Sequence, residues 1–252
     1  METNKKICCI TGHRTQSFPW SYNADPTNKY DWEFDRTLED TVEKLIHDGY
    51  NYFICGGAIG VDIAFASAVI DLRDRKYPDI QLEIAVPCPG QNKKWNARDK
   101  GIYAEAIQLA DAVNVISEHY TKFCFHRRNE YMVDKSDLVI VVWNGEEKGG
   151  TYYTYQYAKR KKKDTLLIML QDVMKSADDS EAEEKAWQTA TYGRPIPPVG
   201  TGEWKLFMAL EKQRYEEDGT PPSPVVVQKA MSEIEKINKR REKYRNNPKP
   251  IP

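Results

Sequence analysis

The run Ile54-Cys55-Gly56-Gly57-Ala58-Ile59-Gly60-Val61-Asp62 enters on apolar residues, is punctuated by three glycines and leaves into an alanine-rich pattern. That order is a strand, a tight turn and a helix start. Such a turn sets bare backbone N–H groups at a helix N-terminus, where anions bind. Its glycines permit positive φ and close approach of a ligand. No Lys-Ser/Thr pair follows Gly60, so this is not a Walker A loop, and the G-x-G-x-x-G spacing is incomplete. By itself the run fits a phosphate-binding turn and a ligand-free strand-to-helix turn equally well.

The flanking sequence repeats the same unit. Upstream, Ile7-Cys8-Cys9-Ile10 is a short apolar strand ending in the loop Thr11-Gly12-His13-Arg14, the usual opening of a doubly wound α/β domain. Arg14 is either a bidentate phosphate ligand or a solvated loop arginine. The aromatic stretch from Phe18 to Asp31 is expected to fold over the site. Phe34, Leu38, Val42 and Leu45 recur at helical spacing from Asp31 to Asp48, with Gly49 closing the helix. Downstream, Ile63, Ala64, Ala66, Ala68 and Val69 give a helix to Lys76, and Asp62 in its first turn complements the dipole. Further strands are read at 82–86, 112–116, 138–143 and 165–170. Gly101 reads as a weak break before a helix over 103–110. Leu138 to Trp143 is apolar without alternation, as in a buried parallel strand, and ends in a second Gly-Gly turn, Gly149-Gly150-Thr151, before a helix.

Composition bounds the rest. The chain has 252 residues, 40% of them hydrophobic, and a formal net charge of −1, with a mean hydropathy of −0.71. This suits one α/β domain with an appendage and argues against a global nucleic-acid-binding surface. The five cysteines, Cys8, Cys9, Cys55, Cys88 and Cys124, are odd in number and partly in buried strands, so a reducing cytoplasm is expected. No signal peptide or membrane-length apolar run is visible. His119, Cys124 and His126 match no standard zinc spacing, and no metal is expected. Nine of the fourteen prolines lie after Gln171. Residues 1–170 are therefore read as the domain and 171–252 as a charged, Pro-rich extension. It would carry helices over 203–215 and 226–245 and a basic cluster from Lys239 to Arg245, and it is a candidate protein-partner segment.

Six strands alternating with helices predict a mostly parallel sheet in a Rossmann-like, doubly wound α/β fold. The expected order runs from 112–116 through 82–86, 52–55, 7–11 and 138–143 to 166–170. Winding reverses between the first strand and the one ending at Trp143, and ligands bind at such a switch point. Thr11, Gly12, His13 and Arg14, then Gly56, Gly57, Ala58, Gly60 and Asp62, and then Gly149, Gly150 and Thr151 converge there. Arg14 and Arg128 are expected at the rim, with Asn129 nearby and Trp143 or Tyr152 stacking on a base. The convergence points to a phosphate-bearing ligand.

Taken in order, Thr11-Gly12-His13-Arg14, Gly56-Gly57-Ala58 with Gly60 and Asp62, Gln91 with Trp95, Arg128-Asn129 with Met132, Val133 and Asp134, Ser136-Asp137, and Gly149-Gly150-Thr151 with Thr154 and Ala158 resemble the YpsA-like branch of the SLOG superfamily. That superfamily also holds the LOG phosphoribohydrolases and the DNA-processing protein DprA. The resemblance covers residues 5 to 170. It implies a Rossmann-like fold binding a nucleotide or a nucleotide-derived ligand such as an ADP-ribose derivative, with no required cofactor, and a homodimer in many members. Carried over from LOG enzymes, it makes Arg128 a catalytic candidate, with Asp62, Glu146, Glu147 or Asp134 as the substitute carboxylate. Thr154 stands where the LOG glutamate falls, and a threonine cannot serve as a general acid or stabilise an oxocarbenium ion. The expectation is therefore ligand binding or sensing. Nucleotide N-glycosidase activity and an interaction role through 171–252 are the alternatives.

Overall fold

The computed structural model describes residues 5–25 and 28–188, with side chains to residue 180. The helices read over 203–215 and 226–245, the proline clusters and the basic cluster from Lys239 lie outside the described residues. Six strands are found: β1 (Lys6–Thr11), β2 (Tyr50–Cys55), β3 (Gln81–Val86), β4 (Ala112–Val115), β5 (Leu138–Trp143) and β6 (Asp164–Met169). They form one all-parallel sheet in the order β4-β3-β2-β1-β5-β6, as the sequence predicts.

The helices are α1 (Lys29–His47), α2 (Val61–Arg75), α3 (Ala97–Leu109), α4 (Cys124–Lys135), α5 (Gly149–Arg160) and α6 (Leu170–Gln188). Strand residues alternate between two cores, because successive side chains leave opposite faces. Cys8, Ile10, Phe53 and Cys55 join Phe34, Leu38, Phe65, Val69, Tyr103 and Val173 from α1, α2, α3 and α6. Cys9, Tyr52, Ile54, Val139 and Val141 join Met132, Val133 and Ala158 from α4 and α5. Both faces are thus covered, which is why β5 reads as continuously apolar.

Three local expectations change. Gly101 does not break α3, which runs through it; a Cβ there would meet nothing. Cys124 to His126 open α4 and are not loop residues. The aromatic stretch packs on α1 instead of over the site. Phe18 stacks on Tyr22 at 4.7 Å and meets Phe34 edge-on at 5.2 Å. The buried Asp31 carboxylate accepts from Trp20 Nε1 at 2.7 Å and from the backbone of Asn23 and Asp25 at 2.9 Å, which ties these three residues to α1. At the other end, β6 passes into α6 without a loop. Leu170, Val173 and Ala177 are buried, and Ser176 and Asp178 bond to Glu33, Tyr30 and Lys29 of α1. All five cysteines are buried and free.

Candidate functional site

β1 and β5 are adjacent, and the helices that follow them leave toward opposite faces. The gap at their carboxyl ends is the switch point of the sheet. It holds a cleft of about 400 Å³, within the usual size of small-molecule sites. Thr11, Gly12, His13 and Arg14 form one wall. Gly149, Gly150 and Thr151 form another, and Ala58, Asp62, Arg128 and Asn129 close the floor. Gly56, Gly57, Gly60 and Trp143 are not among the lining residues.

The first Gly-Gly turn is filled from within the protein. A Cβ on Gly56 would stand 1.0 Å from Arg128 Nη1, so this glycine is the seat of the Arg128 guanidinium. Gly60, at φ +103°, admits the His13 carbonyl, which would lie 2.5 Å from an added Cβ. Val61 N donates to that carbonyl at 3.2 Å, and Ala58 N donates to Asp62 Oδ2 at 3.1 Å. Two backbone donors of this turn, Ala58 N and Val61 N, are therefore spent on the chain itself, and the space over Gly56 is taken by Arg128. Gly57, at φ +64°, faces Ile84 and Tyr103. Gly60 borders a second cavity, of about 370 Å³, between α1, α2 and the start of α3.

The second Gly-Gly turn is open. α5 begins after Lys148 with no side-chain cap, and its first turn borders the cleft. Gly149 holds φ +81° to make the turn. A Cβ on Gly150 would meet only Asn129 Nδ2, at 4.0 Å. Uncapped N–H groups at a helix start carry the positive end of the macrodipole and attract anions.

Arg128 is 6% exposed and so lies in the floor of the cleft, not at its rim. Its Nη1 pairs with Asp62 Oδ2 at 3.3 Å, while Nε has no hydrogen-bond partner. Burial raises the Asp62 pKa above the ordinary carboxylate value, against the pull of Arg128. Asp62 is thus an ion-pair partner and backbone ligand, beyond the dipole role read from sequence. His13 presents an unpartnered Nε2; burial lowers its pKa, against the Glu146 carboxylate, so the imidazole is neutral at pH 7. Arg14 is exposed.

Thr154 is 1% exposed. Its Oγ1 accepts from Asn129 Nδ2 at 2.8 Å and donates to the Gly150 carbonyl at 2.7 Å. It locks α4 to the first turn of α5 and does not line the cleft. Trp143 stacks on Tyr152 at 6.0 Å and donates to the Glu146 carbonyl at 2.9 Å. Asp134 is held by Lys161 and Tyr157 and lies outside the cleft lining. Phe125, Gln16, Glu146 and Lys148 line the cleft. Of these, Phe125 could not be singled out from a Phe-Cys-Phe-His run, because only the phase of α4 turns it inward. No group of three or more His, Cys, Asp or Glu able to hold a metal occurs among the described residues. None of the described helices is long and apolar enough to cross a membrane.

Among relatives, a UPF0398 protein of Shouchella clausii is 30% identical over 128 residues, covering 49% of this chain and 67% of the relative. A UPF0398 protein of Bacillus pumilus is 22% identical over 178 residues, 70% of this chain and 94% of the relative. An uncharacterized SPbeta prophage-derived protein of Bacillus subtilis, YoqJ, is 33% identical over 132 residues, 47% of this chain and 76% of the relative. The model of the YspA SLOG family matches residues 8–175, which hold β1 from Cys8 on, the other five strands and every wall of the cleft. The chain belongs to the YspA SLOG family.

Proposed function

We propose that the chain binds a nucleotide or nucleotide-derived ligand, an ADP-ribose derivative among them, with a phosphate at the N-terminus of α5. The observation that carries this reading is the uncapped first turn of α5 at the switch point between β1 and β5. Arg128 in the floor, paired with Asp62 but with Nε unpartnered, and Lys148 at the edge, paired with Glu146, set cationic groups beside it. Family membership agrees with a nucleotide-related role.

Binding or sensing is favoured over N-glycosidic cleavage by the position of Thr154. The side chain at the LOG glutamate position is spent on joining α4 to α5, and Asp62 is committed to Arg128 and Ala58. Calorimetric titration with AMP, ADP-ribose, NAD and their cyclic relatives tests the proposal. Saturable binding of at least one is expected; no heat from any of them at millimolar concentration refutes it. Chromatography of the same mixtures is expected to show intact nucleotide, and release of free base would restore the glycosidase reading.

A further inference from the structure

Resting on that reading, we infer that Phe125 is the platform for the base of the ligand, with Arg14 closing over it, so that the cleft selects a nucleoside phosphate over a sugar phosphate. Phe125 lies in the first turn of α4 and lines the same cleft as the first turn of α5. It is only half-buried and belongs to neither hydrophobic cluster, unlike Met132 and Val133, which are buried in the core on the same helix. A large aromatic ring kept out of the core and turned toward the cleft has a face to offer.

The guanidinium of Arg14 already faces that ring, with Cζ 5.9 Å from the centroid. This is near the outer limit of about 6 Å for a cation–π contact. The pair is therefore loosely closed, and Arg14 is exposed and free to yield to a flat ring between or beside the two groups. Stacking on an aromatic side chain with an arginine opposite is a general mode of holding a base and tolerates any base identity. Neither aromatic expected from sequence lines the cleft: Trp143 and Tyr152 are stacked on each other at 6.0 Å outside it.

Isothermal calorimetry with AMP and ribose 5-phosphate on the full chain tests the clamp, using Phe125→Ala, Phe125→Leu, Phe125→Trp and Arg14→Ala. Loss of one base stack weakens binding by about 5- to 150-fold. That loss is expected for AMP in Phe125→Ala and Phe125→Leu, with ribose 5-phosphate unchanged and Phe125→Trp behaving as the parent. Arg14→Ala is expected to weaken AMP by about 2- to 5-fold. Phe125→Leu keeps apolar bulk, so its failure to bind AMP is not a packing effect. Equal affinity of the parent for AMP and ribose 5-phosphate overturns the clamp alone, as does an equal loss for both ligands in Phe125→Leu. Failure of the parent to bind either ligand overturns the clamp, and failure with ADP-ribose, NAD and the cyclic relatives as well overturns the phosphate reading with it.

Discussion

Placing a carboxylate at Gly150 separates the anion-binding role proposed for α5 from its folding. The site has room: an added Cβ meets only Asn129 Nδ2 at 4.0 Å, an ordinary contact, and Gly150 is not among the positive-φ glycines. An aspartate in the first turn of a helix interacts favourably with the dipole, by about 0.3–1 kcal/mol. In a chain of this size each kcal/mol moves Tm by about 2–4 °C, so Gly150→Asp should melt up to about 4 °C above the parent. The same carboxylate occupies the N–H groups and repels a phosphate. AMP at 100 times its Kd should stabilise the parent by about 2.7 kcal/mol, a rise in Tm of about 5–11 °C. Gly150→Asp should show less than about 1 °C of that rise, while Gly150→Ala keeps it. Differential scanning calorimetry with and without AMP reads both effects. If folded Gly150→Asp retains the parent's AMP shift, the N-terminus of α5 is not the phosphate site.

Three further outcomes follow from the floor of the cleft and the opposite end of the sheet. Gly56→Ala must expel the Arg128 guanidinium, which an added Cβ would meet at 1.0 Å, and should cost about 3–5 kcal/mol in urea unfolding because Asp62 is left buried and unpaired; a loss below about 1 kcal/mol would show that Arg128 is not seated there. Arg128→Met removes the group that holds the raised Asp62 pKa down. An acid with a raised folded pKa favours the fold below its unfolded pKa and loses that contribution as pH rises through the folded value. The variant's Tm deficit should therefore be larger at pH 7.5 than at pH 4.5, and a pH-independent deficit contradicts this. Glu83, fully buried in β3, has its pKa raised by burial but lowered more by Lys135, Tyr52 and Tyr131, so the net shift is downward. That carboxylate stabilises the fold above its unfolded pKa of about 4.3 and loses the contribution as pH falls through the depressed value. Glu83→Gln should cost about 1.5–3 kcal/mol at pH 7 by urea denaturation, less toward pH 3, and an equal cost at both pH values would refute it.

Much of the architecture was legible because its signals are local. Apolar runs of strand length bounded by glycine turns are set by backbone sterics and burial within a few residues. Their alternation with helical spacing leaves few topologies for a parallel sheet. The sheet order and the switch point beside Thr11-Gly12-His13-Arg14 therefore followed from the chain. Gly101 misled because a solvent-facing glycine costs a helix only about 1 kcal/mol, which the packing of Tyr103, Ile107 and Leu109 offsets.

The sequence by itself determined the fold class, the strand order, the three turns at one edge and the absence of a glutamate at Thr154. Tertiary structure decided which turn is open. Gly56-Gly57 and Gly149-Gly150 look alike as strings, yet the first is filled by Arg128 from α4 and by Ile84 and Tyr103, while the second faces the cleft with no side-chain cap. It also decided which aromatic borders the cleft, since the phase of α4 turns Phe125 inward while Trp143 is stacked on Tyr152 outside the lining. Both outcomes depend on packing between segments far apart in the chain. A local pattern constrains periodicity and turn geometry but carries no record of which distant side chain will occupy the space a glycine leaves.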